Sequence, residues 1–159
     1  MSDDLTHFDH DGQAVMVDIG DKPLTSREAI ATGEVRMEPD TLKRILDQQI
    51  TKGDVFAVAR LAGIMGAKQT ASLIPLCHPL SLSHVKIDFH CDKQQGRVTI
   101  VAAARVTGQT GVEMEALTAV SIAALTIYDM CKAIDKNMLI GEIYLQKKSG
   151  GKSGTFQKE

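Results

Sequence analysis

His84-Val85-Lys86-Ile87-Asp88-Phe89-His90-Cys91-Asp92-Lys93-Gln94-Gln95-Gly96-Arg97-Val98-Thr99-Ile100-Val101 reads as a hairpin. Val85, Ile87 and Phe89 fall on one face of the first strand, and His84, Lys86, Asp88 and His90 on the other, the period-two signature of a half-buried strand. Asp92–Gly96 supplies loop residues, and Arg97–Val101 starts the returning strand. Upstream, Gly33-Glu34-Val35-Arg36-Met37 alternates like a short strand. Pro39-Asp40-Thr41 then opens a helix whose Leu42, Ile45 and Leu46 recur at helical spacing. Thr51-Lys52-Gly53-Asp54 resembles a capping signature, so a second helix is expected to run to about Leu73 and stop near Pro75, with Lys52 at its mouth. Downstream, Gly108 and Gly111 precede a long helix expected from about Val112 to Ile134, and Leu139–Leu145 closes the order as a strand.

The sum is β, α-α, β-β, α, β. That order suits an α+β fold with a ferredoxin-like antiparallel sheet and helices packed on one face. No fixed-period repeat is present. At 159 residues one domain is expected. Residues 1–26 are expected to form a flexible N-terminal segment, 27–147 the single ferredoxin-like domain, and 148–159 a Gly-, Ser- and Lys-rich tail that is flexible or ordered by a ligand.

Composition narrows the function classes. With 43% apolar and 24% charged residues the chain has material for a core. No Trp, 2 Tyr and 4 Phe leave little for a base-stacking surface, and a net charge of −2 supplies no global basic field. No nucleic-acid partner is expected; local basic clusters remain able to hold a small phosphorylated anion. The 3 cysteines, Cys77, Cys91 and Cys131, are far apart without a CxxC pair, which argues for a reducing compartment. The opening residues carry acid where a signal peptide needs a basic then apolar run, and no segment reaches about 18 apolar residues, so a cytoplasmic protein without a membrane span is expected.

The long helix carries the strongest inference. Between Glu115 and Asp129, the run Ala116–Tyr128 holds no charge, so the helix has no wide polar face and needs cover on more than one side. Its sheet covers one flank. A second copy of the chain is the expected cover for the other, and the second helix is the alternative within the chain. Glu115 and Asp129 sit roughly 21 Å apart along the axis, too far to meet on one small reacting centre in one chain. If both serve one site, a neighbouring subunit must bring its helix end to this one's start.

Asp129 and Lys132, spaced i, i+3, aim a carboxylate and an ammonium at one spot, an arrangement suited either to acid/base work or to a surface ion pair. Pro75 and Pro79 fix the backbone around Leu76-Cys77-His78, which presents Cys77 and His78 to a ligand. Neighbours in an extended segment point opposite ways, so a Cys–His nucleophile pair is not expected and the thiol reads as packing. No metal is expected, because no ligands stand at CxxC or HxxxH spacing, and no cofactor is implied. Gly151-Lys152-Ser153 is not a P-loop, since Gln146 stands where the motif needs glycine and no helix can follow.

Several long strings resemble the molybdenum cofactor biosynthesis protein C family. They are Met16-Val17-Asp18, Lys52–Phe56, Ile74–Leu80, Thr110–Ala119, Ala124–Ala133 and Lys148–Gly154. The resemblance implies a lyase that converts the cyclised GTP derivative 3′,8-cyclo-7,8-dihydroguanosine triphosphate to cyclic pyranopterin monophosphate with release of pyrophosphate. It also implies a homohexamer, a trimer of dimers, with active sites between chains. On the matching residues, Asp129 takes the acid/base role with Lys52 and Lys132 assisting, and Leu76, Cys77, His78, Met114 and Glu115 form the substrate pocket, with Glu113 as a further member. Lys132, desolvated by the interface, is expected to have a lowered pKa. Arg27, Lys68, Lys148 and Lys152 are candidates for the triphosphate. The rival class is a nucleotide-sensing oligomeric module that binds without turnover; RNA binding on the open sheet lacks its aromatic platform.

Overall fold

The computed structural model describes residues 6–159. The start of the segment expected to be flexible, residues 1–5, lies outside the described residues. The elements are β1 (Thr25–Arg36), α1 (Pro39–Leu46), α2 (Val55–Lys68), α3 (Thr70–Leu73), β2 (His84–Asp92), β3 (Arg97–Gly108), α4 (Glu113–Cys131), β4 (Leu139–Ser149) and β5 (Phe156–Gln157). All pairings are antiparallel in the order β2-β3-β1-β4-β5, so the first four strands make the ferredoxin-like sheet and β5 extends one edge.

The strands are longer than their alternation suggests. β1 begins at Thr25, not Gly33, because its first half is Ala- and Thr-rich, and those residues become strand only through pairing with β3 along its whole length. Ala29, Ala31 and Val35 face the helices from β1, and Val98, Ile100, Ala102 and Ala104 do so from β3; all are fully buried. The expected boundary at 26/27 therefore falls inside β1, and that at 147/148 inside β4, with Lys148 and Ser149 still in the strand. The helix expected to reach Leu73 ends at Lys68. A separate turn, α3, follows, tied back by the Thr70 hydroxyl, which donates to Ala67 O at 2.9 Å. α4 stops at Cys131, three residues short of its expected end, where the chain turns and Ile134 N bonds Cys131 O.

The second flank of α4 is covered within the chain. α2 lies along it, and Gly63 and Gly66 allow the approach: a Cβ on Gly63 would stand 2.8 Å from Ala119 O, and one on Gly66 2.7 Å from Ile122 Cγ1. The expectation that another subunit supplies this cover is thus corrected. The unmet apolar surface moves one layer outward, to Val58, Leu61 and Met65 on the outer face of α2 and Leu125 on α4, all exposed. By length and composition α4 is apolar enough to cross a membrane, but it is packed between the sheet and α2 as the core helix. Phe89 stacks on Phe56 with ring centroids 4.8 Å apart, on the helix side of the sheet, so no aromatic platform faces outward from β2.

Candidate active site

The polar residues singled out by the sequence gather in two clusters at opposite ends of α4. At its C-terminal end the Lys52 ammonium donates to Asp129 Oδ2 and to the Asp129 carbonyl, each at 3.0 Å, and Lys132 donates to Asp129 Oδ1 at 2.7 Å. The loop that ends at Asp54, whose carboxylate caps α2 by accepting from Ala57 N, presents Lys52. Asp129 and Lys132 project one turn apart from the end of α4. The three side chains are 49%, 57% and 53% exposed for Lys52, Asp129 and Lys132, so the cluster is a surface triad of this chain.

The bond from Lys132, then that from Lys52, holds the Asp129 carboxyl below the usual carboxylate range. The Lys132 ammonium is raised, not lowered, because its hydrogen bond to Asp129 outweighs the small desolvation at this surface position. In this chain Lys132 is a firmly protonated donor.

At the N-terminal end of α4, a hollow of about 140 Å³ is lined by Leu76, Cys77 and His78 from the segment after α3 and by Glu113, Met114 and Glu115 from the first turn. All six expected pocket residues meet there. Cys77 and His78 share the hollow despite being sequence neighbours. The His78 ring donates Nε2–H to Val17 O at 2.7 Å, since a carbonyl oxygen only accepts. Burial, and then Glu115, pushes the Cys77 thiol up, which agrees with a packing role and not a nucleophilic one.

Glu115 is 4% exposed. Burial raises its carboxyl to about 7, against a backbone hydrogen bond that lowers it, with Glu113 adding a smaller upward push. It therefore holds or releases a proton near neutrality. Because the folded state binds that proton more tightly than the unfolded chain, the associated stability is present at low pH and is lost as pH rises through about 7. Glu115→Gln is expected to melt above the wild type beyond that point and to match it below about pH 4.5, a difference of at most about 3 kcal/mol. Equal melting temperatures throughout would refute this placement of the proton.

Beside this hollow lie two more, of about 220 and 380 Å³, that share Lys22, Arg27 and Ser153. Lys148 lines the smaller and Lys152 the larger. A register shift in β4 places Lys148 there. The extra residue near Ile30 puts Lys148 opposite Ala29, on the helix-facing side, and its ammonium donates to Glu113 Oε1 at 2.9 Å. Arg27 donates to Gly108 O and Gln109 O, bracing the loop before α4. The tail returns as β5, with Phe156 opposite Lys148 and Lys158 N bonded to Gln146 O, so Gly150–Ser153 forms a closed loop over Arg27. At Gly151, φ is +74°, a left-handed conformation that favours glycine, and the Arg27 guanidinium lies directly against it.

Three of the four expected cations thus come together, and Lys68, at the end of α2, lines none of these hollows. Sequence reasoning missed Lys22, the single Lys or Arg among the acid-rich first 26 residues, which was the available signal. It also missed Gln109, whose amide donates to Gly20 O and Lys22 O and so holds that segment in place. The Thr25 hydroxyl, in the wall of the larger hollow, has no partner among the described residues. Asp9, His10 and Asp11 bring potential ligand atoms within 4.8 Å, but all three are exposed, and Asp9 Oδ1 already accepts from Asp11 N and Gln13 N.

Fold and site define a small ferredoxin-like α+β chain with a recess lined by Lys22, Arg27, Lys148 and Lys152 at one end of its core helix and a lysine–carboxylate triad at the other. The chain belongs to the MoaC family, whose family model matches residues 16–151. It is 59% identical over 155 residues to a cyclic pyranopterin monophosphate synthase of Pelotomaculum thermopropionicum, covering 98% of this chain and 91% of that protein. It is 61% identical to the synthase of the same name from a Roseiflexus species, over 96% of this chain and 97% of the relative. A third, from Heliobacterium modesticaldum, is 60% identical over 99% of both chains.

Proposed function

We propose that this chain is a cyclic pyranopterin monophosphate synthase of molybdenum cofactor biosynthesis, acting on 3′,8-cyclo-7,8-dihydroguanosine triphosphate and releasing pyrophosphate. The observation that carries the reading is the division of the polar machinery between the two ends of α4. The cationic recess suits the triphosphate of such a substrate, and the triad suits the proton traffic of its rearrangement. The relatives' shared name agrees with it.

In this reading Arg27, Lys148 and Lys152, with Lys22, hold the phosphates and favour expulsion of pyrophosphate as the cyclic phosphate closes. Glu113 and Glu115 accept from the N–H groups of the guanine-type edge, and Leu76, Cys77, His78 and Met114 shape the pocket around it. Asp129 keeps Lys132 and Lys52 beside the reacting atoms, where Lys132 donates a proton and the carboxylate receives one.

Glu115 and Asp129 lie roughly 21 Å apart along one α4, so the working site joins the N-terminal cluster of one subunit to the triad of another. The exposed apolar faces of α2 and α4 are suited to an interface between copies, and the proposed assembly is a cytoplasmic homohexamer, a trimer of dimers. The test is incubation with the cyclised GTP derivative. One pyrophosphate per cyclic pyranopterin monophosphate formed is the expected result. Binding without pyrophosphate release would favour a nucleotide-sensing module instead.

A further inference from the structure

Asp135 and Glu115 are the two buried carboxylates among the described residues, and Asp135 belongs to neither polar cluster. It is 6% exposed, in the turn that closes α4, three residues beyond Lys132. Its Oδ2 accepts from Glu38 N at 3.0 Å and from the Thr41 hydroxyl at 3.1 Å, and its Oδ1 from Asn137 N at 3.1 Å. A buried charge so fully bonded is held in one place.

The partners are informative. Glu38 is the N-cap residue of α1, and its own side chain makes no capping bond. In a capping box the third helical residue would reach back to the N-cap N–H; here that residue is Thr41, whose side chain is too short. Asp135 takes that N–H from a distant part of the chain, and Thr41 turns its hydroxyl to the same oxygen. α1 leads directly into the loop that carries Lys52, while Asp135 is continuous with the helix end that carries Asp129 and Lys132. Two segments supply the triad, and Asp135 ties the start of α1 to the turn after α4.

The triad does not provide that fastening itself. Lys52 and Asp129 are half-exposed, and surface ion pairs hold chain segments weakly. Cys131 lies fully buried in the same region; its thiol is pushed to about 11 by burial, then by Asp135, with Lys52 opposing.

We propose that Asp135, with Thr41, is a positioning residue for the reaction: by locking α1 to the turn after α4 it sets where the Lys52 ammonium stands relative to Asp129 and Lys132. This rests on the reading of the triad as reaction machinery. Asp135→Asn and Thr41→Val, in the full chain, are expected to lower kcat about tenfold. KM should stay within about twofold, because the triphosphate recess is at the far end of α4. The groups facing the Asp129 carboxylate are Lys52 and Lys132. With Lys52 displaced, Asp129 loses part of its cationic support and the acid limb of the kcat–pH profile moves to higher pH. Thr41→Ser restores both kcat and the limb.

A lower melting temperature with unchanged kcat and an unshifted limb would overturn the proposal, since a purely structural role gives that pattern. If Asp135→Asn does not fold, the Thr41 pair decides alone. Asp129→Asn run in parallel separates the two levels: normal turnover there refutes the triad's role itself. Loss there, with unaltered kcat and limb in Asp135→Asn and Thr41→Val, refutes only the positioning.

Discussion

Asp129→Asn is expected to lower kcat by at least about a hundredfold while leaving the chain folded and the substrate bound. The amide keeps the shape and can still accept from one lysine, but it removes the charge that holds Lys132 and Lys52 together. It also removes the proton acceptor. Lys132→Met, which keeps the length of the side chain and loses the ammonium, is expected to fall by a similar factor. Because the three groups are about half exposed and their ion pairs are of the surface kind, neither change threatens the core. Substrate consumption and product formation, followed together, make the measurement, and near-normal turnover in both variants would remove the acid/base assignment.

The second large effect appears only in mixtures. Asp129→Asn breaks the triad, and Glu115→Gln breaks the cluster at the other end of the helix. If each working site takes its triad from one subunit and its pocket from the next, an interface between the two variants contains one site with both defects and one with neither. Random assembly of equal amounts should then restore about one quarter of wild-type sites. Co-expression of the two variants, each inactive alone, followed by a turnover assay, tests this directly. A mixture no more active than its components would place the whole site within one subunit and would require substrate to span the length of α4.

The sequence and the structure agree where local rules decide. The hairpin at 84–101 and the uncharged helix core were legible because period and loop chemistry act over a few residues, and of the capping signature read at Thr51–Asp54 it is Asp54 that caps α2. The first half of β1 was not, since Ala29, Ala31 and Thr32 acquire strand geometry from their position in the centre of the sheet. Nor was the cover of α4, because Gly63 and Gly66 read as weak helix positions until a second helix is placed against them. Spacing made the Asp129–Lys132 pair legible, whereas the six pocket residues and Lys52 were named through the family resemblance. The lowered value expected for Lys132 belongs to a subunit interface; in the chain alone the bond to Asp129 raises it. Lys22, Gln109 and Asp135 act through partners far away in the chain, and no local pattern announces such bonds.

The tight crossing of α2 and α4 limits how this chain can be engineered. Exchanging a helical glycine for alanine is a standard route to a hardier protein, since it stiffens the denatured chain and improves helix propensity by up to about 1 kcal/mol. At positions 63 and 66 the added methyl meets Ala119 O and the Ile122 side chain, so the same exchange pries the two helices apart. Efforts at thermal hardening belong on the surface, away from this buried crossing.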